Sequence, residues 1–179
     1  MIDIIRQTEA TPTYPAAPDG LSAAAAALDP DMIWARIESY IAHRFSEREI
    51  IWTVSGFADD AWLAPIGPVV SQTAEKWIDG AWSAVSLDDG PLGPCLPSDG
   101  TFRITATVGA TPVPSEVDQA YRRLAEYWAV ETGKAGVSEH RVSIGGEIEE
   151  SFSRSPVWMA RAMVNSGAAD LLRKYRSYP

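Results

Sequence analysis

The chain has 179 residues, long enough for one ordinary domain with a real core and short for two. Hydrophobic residues make up 46 % of it and tryptophans number seven, so it can fold on buried apolar surface and is not a disordered chain. Lys and Arg number 15 against 24 Asp and Glu, a formal net charge of -9, which excludes tight wrapping of nucleic acid because that affinity comes from cations neutralising phosphates.

Residues 1 to 28 open with a short apolar piece, "IDII", and run through Thr, Pro, Ala and Gly to "LSAAAAAL". This composition predicts an extended N-terminal arm followed by about two helical turns between Leu21 and Leu28, since the alanines favour helix but offer little to pack. The stretch "DPDMIWARIESYIAHRF" then carries a helix start: Asp29 can cap, Pro30 suits the first helical position, and Asp31 sets negative charge against the dipole. Ile33, Ile37, Tyr40 and Ile41 share one face of that helix and predict a core stripe.

From Arg48 to Val108 the apolar period changes to two. "REIIWTV" places Ile50, Trp52 and Val54 on one side, and "TFRITATV" does the same with Phe102, Ile104, Ala106 and Val108, as half-buried strands do. Asp79-Gly80, flanked by Trp77, Ile78, Ala81 and Trp82, is a strong two-residue hairpin signal. Pro65 and Pro68 in "APIGPVVS" predict an edge strand or the lead-in to one, and the Gly- and Pro-rich "LDDGPLGPCLPSDG" predicts a loop.

Helix returns at "PSEVDQAYRRLAEYWAVETG", where Ser115 and Asp118 resemble a capping box, Val117, Tyr121, Leu124 and Trp128 form the buried stripe, and Gly133 is the stop. "VSEHRVSIGGEIEESF" fits either a hairpin over Gly145-Gly146 or an irregular loop. Ser155-Pro156 starts a helix through Met163, Asn165-Ser166-Gly167 breaks it, and "AADLLRKYR" forms a last short helix. The predicted class is α+β: a mainly helical body of two long helices and the C-terminal ones, with a small antiparallel sheet, residues 48 to 108, inserted between the long helices. Residues 29 to 165 form the body and residues 166 to 179 a separate C-terminal segment.

The groups that catalysis requires are scarce. His43 reads as a cation near a helix C-terminus and His140 lies in a polar stretch, so neither has a partner placed by sequence. One cysteine, Cys95, and two histidines allow no intramolecular disulfide and no zinc-type cluster. The carboxylates Asp59-Asp60, Asp88-Asp89, and Glu147, Glu149 and Glu150 could hold a divalent cation through oxygen, but none follows an EF-hand spacing, and they read as solvated acidic faces. "SIGGE" lacks the Lys and the strand-turn-helix setting of a phosphate loop, and Ser71 and Ser83 have no activating histidine. The expectation is no enzyme, no cofactor and no metal. Most tryptophans lie in periodic segments, where a structural role outweighs a sugar platform. No stretch approaches 18 apolar residues and no apolar run of signal-peptide length opens the chain, so a soluble protein without a membrane partner, made in a reducing cytoplasm, is expected.

Taken in order, the segments resemble the head-tail connector, or adaptor, proteins of long-tailed bacteriophages and of gene transfer agents. "RIESYIAHRFSEREIIWTV" is similar to the family's first long helix running into its first strand, and "LAPIGPVVSQTAEKWIDGAWSAV" to its proline-bounded strand and Asp-Gly hairpin. "ITATVGATPVPSEVDQAYRRLAEYW" resembles the last strand, turn and second long helix, and "SGAADLLRKYR" the closing segment. Together these span most of residues 36 to 176, whereas the Ala-rich stretch and "DPDM" replace the family's acidic helical start.

The resemblance implies a structural virion protein at the head-tail neck, assembled in the bacterial host cytoplasm. It implies a homo-oligomeric ring, usually of twelve copies, under the portal protein, passing double-stranded DNA through its centre to a stopper or tail-completion protein. It also implies that the basic C-terminal segment anchors on the portal, with Leu171, Leu172 and Tyr175 in an apolar groove and Arg173, Lys174 and Arg176 against acidic groups. Burying a Leu is worth roughly 1.5 to 3 kcal/mol and an exposed ion pair about 0 to 1, so the apolar residues would supply affinity and the cations register. Read without the resemblance, the same segment is a final helix packed on its own domain with cations complementing its dipole. The acidic residues Glu147, Glu149 and Glu150, or Asp88 and Asp89, are expected to face the channel or the next ring. A stopper or tail-completion protein of the same particle is the nearest alternative, and a small carbohydrate-binding or hydrolytic domain using exposed Trp62 or Trp82 the alternative from a different class.

Overall fold

Side chains that alternate across a strand must bury one face together, and the period-two segments do so. The computed structural model describes residues 1–109, 111–130, 137–141, 151–154 and 161–176, with 137–141 and 151–154 as backbone. The chain divides into a β unit, Met1–Pro15 with Ala42–Pro112, and a helical unit, Ala16–Ile41 with Val113–Arg176.

The β unit contains β1 (Asp3–Glu9), β2 (Arg48–Gly56), β3 (Val69–Ile78), β4 (Ala81–Val85), the short β5 (Asp88–Gly90) and β6 (Gly93–Cys95), and β7 (Gly100–Val108). Five strands form one antiparallel sheet in the order β1-β2-β7-β3-β4, and β5 pairs with β6. Ile50, Trp52 and Val54 of β2 and Phe102, Ile104, Ala106 and Val108 of β7 are buried on one face, where Trp62, Ile66 and Leu96 from the connections cover them. The two buried indoles of this unit are satisfied: Trp52 Nε1 donates to Gln7 at 2.8 Å and Trp62 Nε1 to Gln72 at 3.2 Å. The predicted Asp79-Gly80 hairpin forms with Trp77 opposite Trp82, and both turn residues have positive φ (49° and 84°), as a type I′ turn demands.

Three expectations for this region change. Residues 3–9 of the predicted arm pair with β2 as an edge strand. Pro68 is the lead-in to β3, which lies between β7 and β4 rather than at an edge. The predicted loop around Asp88 contains the β5–β6 pair.

The helical unit contains α1 (Ala23–Ala26), α2 (Pro30–Ile41), α3 (Ser115–Ala129), the antiparallel strands β8 (Val137–Arg141) and β9 (Ser151–Arg154), α4 (Ala162–Asn165), α5 (Ala168–Leu171) and a 3-10 turn, Arg173–Tyr175. Asp29 accepts from the Asp31 amide at 3.0 Å and starts α2 as expected. That helix stops at Ile41, short of the predicted Phe45, because Ala42 turns left-handed (φ 53°). Helix α3 is the hub, touching α1, α2, α4 and α5. Val117, Ala120, Tyr121, Leu124 and Ala125 are its buried face, and the Tyr121 ring lies 5.0 Å from that of Trp34.

Here too details differ. Pro114, not Ser115, occupies the N-cap of α3 and no side chain caps it, so the capping box does not form. Trp128 and Tyr40 are only half-buried, their predicted core places going to Ala125 and Trp34. Strands β8 and β9 pair antiparallel at the two ends of the ambiguous segment, whereas Gly133, Gly145-Gly146 and Ser155-Pro156 lie outside the described residues. The α+β class holds, but strand is as extensive as helix and "mainly helical" does not describe the chain.

Candidate functional site

The basic C-terminal segment is built by a break and two short helices. Gly167, left-handed at φ 72°, ends α4 and redirects the chain into α5. Ala168 and Leu172, four apart, then face inward together, and both are fully buried at 0 % exposure. Leu171 and Tyr175 are half-buried, and Arg173, Lys174 and Arg176 are exposed. Lys174 Nζ bonds Glu116 at 2.8 Å and lies 5.0 Å from the Tyr175 ring centroid, while the Arg176 guanidinium stacks 4.9 Å from that of Tyr40. Their hydrogen bond raises the Lys174 ammonium above its ordinary value and lowers the Glu116 carboxyl.

This geometry changes the role of one expected anchor residue. Leu172 holds the segment onto its own unit and has no surface to give a partner in this conformation, whereas Leu171, Arg173 and Tyr175 offer surface. Asp88 and Asp89 stand exposed on β5, in the β unit, which holds most of the chain's net negative charge. Glu147, Glu149 and Glu150 lie outside the described residues.

Sequence reading missed an ionic cluster that fixes β1. The Glu9 carboxylate accepts from Arg44 at 2.7 and 2.9 Å and from Arg48 at 3.0 Å, and the Arg48 guanidinium lies 5.4 Å from the Tyr14 ring centroid. Burial raises the Glu9 carboxyl, but the hydrogen bonds and charges of the two arginines outweigh it and hold it below its usual value. Alternation could not signal this, because the three residues meet only through the β1–β2 pairing and the turn before β2.

The chemistry available elsewhere is limited. His43 lies past the end of α2, in the β unit, where burial and then the Arg44 charge lower its imidazole below its ordinary value, which disfavours the cation that a capping role needs. Among the described residues no three His, Cys, Asp or Glu side chains gather as a metal site, and no helix is long and apolar enough to cross a membrane. Trp62, expected exposed under the sugar-binding alternative, is buried at 3 %, and Trp82 is held between the Trp77 ring and the Arg103 guanidinium 4.8 Å away. Trp82 is half-buried and Trp77 is 47 % exposed, so this pair keeps part of its surface open.

No protein-family model and no curated protein matches the chain. Among solved structures, a chain in the neck of an empty gene transfer agent particle, computed with C6 symmetry, is similar at a TM-score of 0.55 and 18 % identity, over 98 % of this chain and 97 % of that one. The two share a fold. A chain in the virion of a native gene transfer agent particle is similar at a TM-score of 0.47 and 20 % identity, over 84 % of this chain and 75 % of that one.

Proposed function

We propose that the protein is a structural neck component of a phage or gene-transfer-agent particle: a head-tail adaptor that forms a ring between the portal and the stopper or tail, without catalysis. The observation that carries this reading is the fold likeness to a chain of a gene transfer agent neck over nearly the whole of both chains. The order of helix, proline-bounded hairpin, central helix and closing "SGAADLLRKYR" supports it independently.

In this reading Leu172 fixes the C-terminal segment as a platform, and Leu171, Arg173 and Tyr175 make the outward contact with the portal. Lys174 and Arg176, held by Glu116 and Tyr40, set its register. Each copy binds weakly, and a ring facing a ring multiplies the effect. An acidic β unit suits a conduit wall, since each exposed cation on the path would bind phosphate and slow the DNA. A hexameric stopper or tail-completion protein is the second reading: the similar neck was computed with C6 symmetry, which accommodates six copies.

The test is a pull-down of purified portal rings by the full chain and by a Leu171→Ala, Arg173→Glu, Tyr175→Ala variant that leaves Leu172 in place. Lost binding by a variant with an unchanged melting curve is the expected result. Equal binding by both chains moves the contact to another surface, and failure of the natural chain to bind sinks the adaptor reading.

A further inference from the structure

The central helix α3 presents a feature that the adaptor reading leaves unexplained: two adjacent arginines, Arg122 and Arg123, lining an open trough of about 520 Å³ with Gln119, Tyr127, Val130 and Asn165. Each guanidinium is positioned by neutral oxygens. Arg122 Nε donates to the Asp19 carbonyl at 2.7 Å and Nη1 to Gln119 at 3.4 Å, and Arg123 Nη1 donates to the Gly167 carbonyl at 3.3 Å. The carboxylate in the trough, Glu126, is taken by the amide and hydroxyl of Ser22 at 2.7 and 2.8 Å.

Several cations elsewhere have a carboxylate partner. Arg44 and Arg48 share an ion pair with Glu9, Arg103 pairs with Glu75, and Lys174 with Glu116. Among the described residues Arg122 and Arg123 form no ion pair, although the chain holds 24 Asp and Glu. The two pre-positioned guanidinium forks outnumber the one carboxylate of the trough, Glu126, which leaves an excess of positive charge that suits a carboxylate-rich ligand bound in bidentate fashion.

We infer that this trough is the docking site for the acidic segment 142–150 of a second copy of the chain. That segment joins the paired strands β8 and β9 and holds Glu147, Glu149 and Glu150 within four residues, with no basic residue from 142 to 153. Ile148 lies between the glutamates in sequence, and Val130, half exposed at 50 %, gives the trough an apolar contact for it. Acidic segment and basic trough are different patches of one sequence, so the contact is heterologous and propagates head to tail, the kind of interface that closes into rings. The inference thus deepens the ring reading by naming its subunit contact. A nucleic-acid occupant is disfavoured by the net charge of -9.

The test uses a fluorescent peptide of residues 142–152 and fluorescence anisotropy with three full-length chains: natural, Arg122→Glu with Arg123→Glu, and a chain with Glu147, Glu149 and Glu150 changed to Gln. The natural and Gln chains are expected to bind the peptide saturably, the arginine variant about tenfold or more weakly, and a peptide with its glutamates changed to Gln equally weakly. An Arg122→Gln, Arg123→Gln chain with a natural melting curve guards against misfolding from charge reversal. Absence of saturable binding, or equal binding to the arginine variants, overturns the inference. Binding to the Gln chain alone overturns it as well, because the acidic segment then closes on the arginines of its own chain. The assay contains no portal, so it fails separately from the portal pull-down.

Discussion

The β unit and the helical unit build their cores from different mixtures of side chains. In the β unit, large side chains from β2 and β7 fill one sheet face, and Trp62 and Leu96 from the connections close it. In the helical unit, Trp34, Tyr121, Leu124 and the isoleucines of α2 are buried together with the small Ala25, Ala120, Ala125, Ala162 and Ala168. Small residues let helices approach closely but bury little apolar area each. The sheet core is closed by its own connections, and α3 of the helical unit borders an open trough.

The comparison is broken most severely by emptying the sheet core. Trp52→Ala is expected to cost about 3 to 5 kcal/mol in urea unfolding, since it opens a cavity and strands the Gln7 side chain. Hydrogen exchange sharpens the result: protection should fall first in β2 and β7, and parallel loss in α3 would show that the two units do not unfold separately. Leu172→Ala is expected to cost about 2 to 4 kcal/mol, a loss that a purely partner-facing leucine would not produce.

Glu9→Gln ranks next, at about 1 to 3 kcal/mol at neutral pH, because the nearly buried Arg44 and Arg48 lose their shared anion. Its pH dependence separates the units. Glu9 has a folded-state carboxyl below its ordinary value of 4.5, so its contribution is present above that value and lost as pH falls through the folded one. His43, lowered from 6.5, likewise withdraws stability as pH falls below 6.5, because the folded state resists its protonation. Tyr121 in the helical unit is raised above 10.0, first by burial and then by Asp29 and Asp31, so its contribution is intact below 10.0 and lost as pH rises through the folded value. Glu9→Gln should therefore flatten the acid limb of a stability-against-pH curve and Tyr121→Phe the alkaline limb; the opposite pattern would refute the assignment. The smallest effect is expected for Lys174→Ala, whose exposed pair with Glu116 is screened by solvent, so the melting temperature should barely move.

The local periodicities were legible. Alternation in "REIIWTV" and "TFRITATV", the Asp79-Gly80 turn, the Asp29-Pro30 helix start and the break at Gly167 each depend on neighbours within a few residues, so sequence alone determined them. The sequence could not say that residues 3–9 of the predicted arm pair with β2, because extended arm and edge strand have the same local conformation and differ only in a distant partner. For the same reason Leu171 and Leu172 looked interchangeable until packing against the helical unit turned one inward. The clamp of Glu9 on Arg44 and Arg48, and the two arginines left without an anion on α3, were likewise decided by tertiary structure. Charge pairing depends on distances between segments far apart in the chain, and those distances exist only once the backbone has folded.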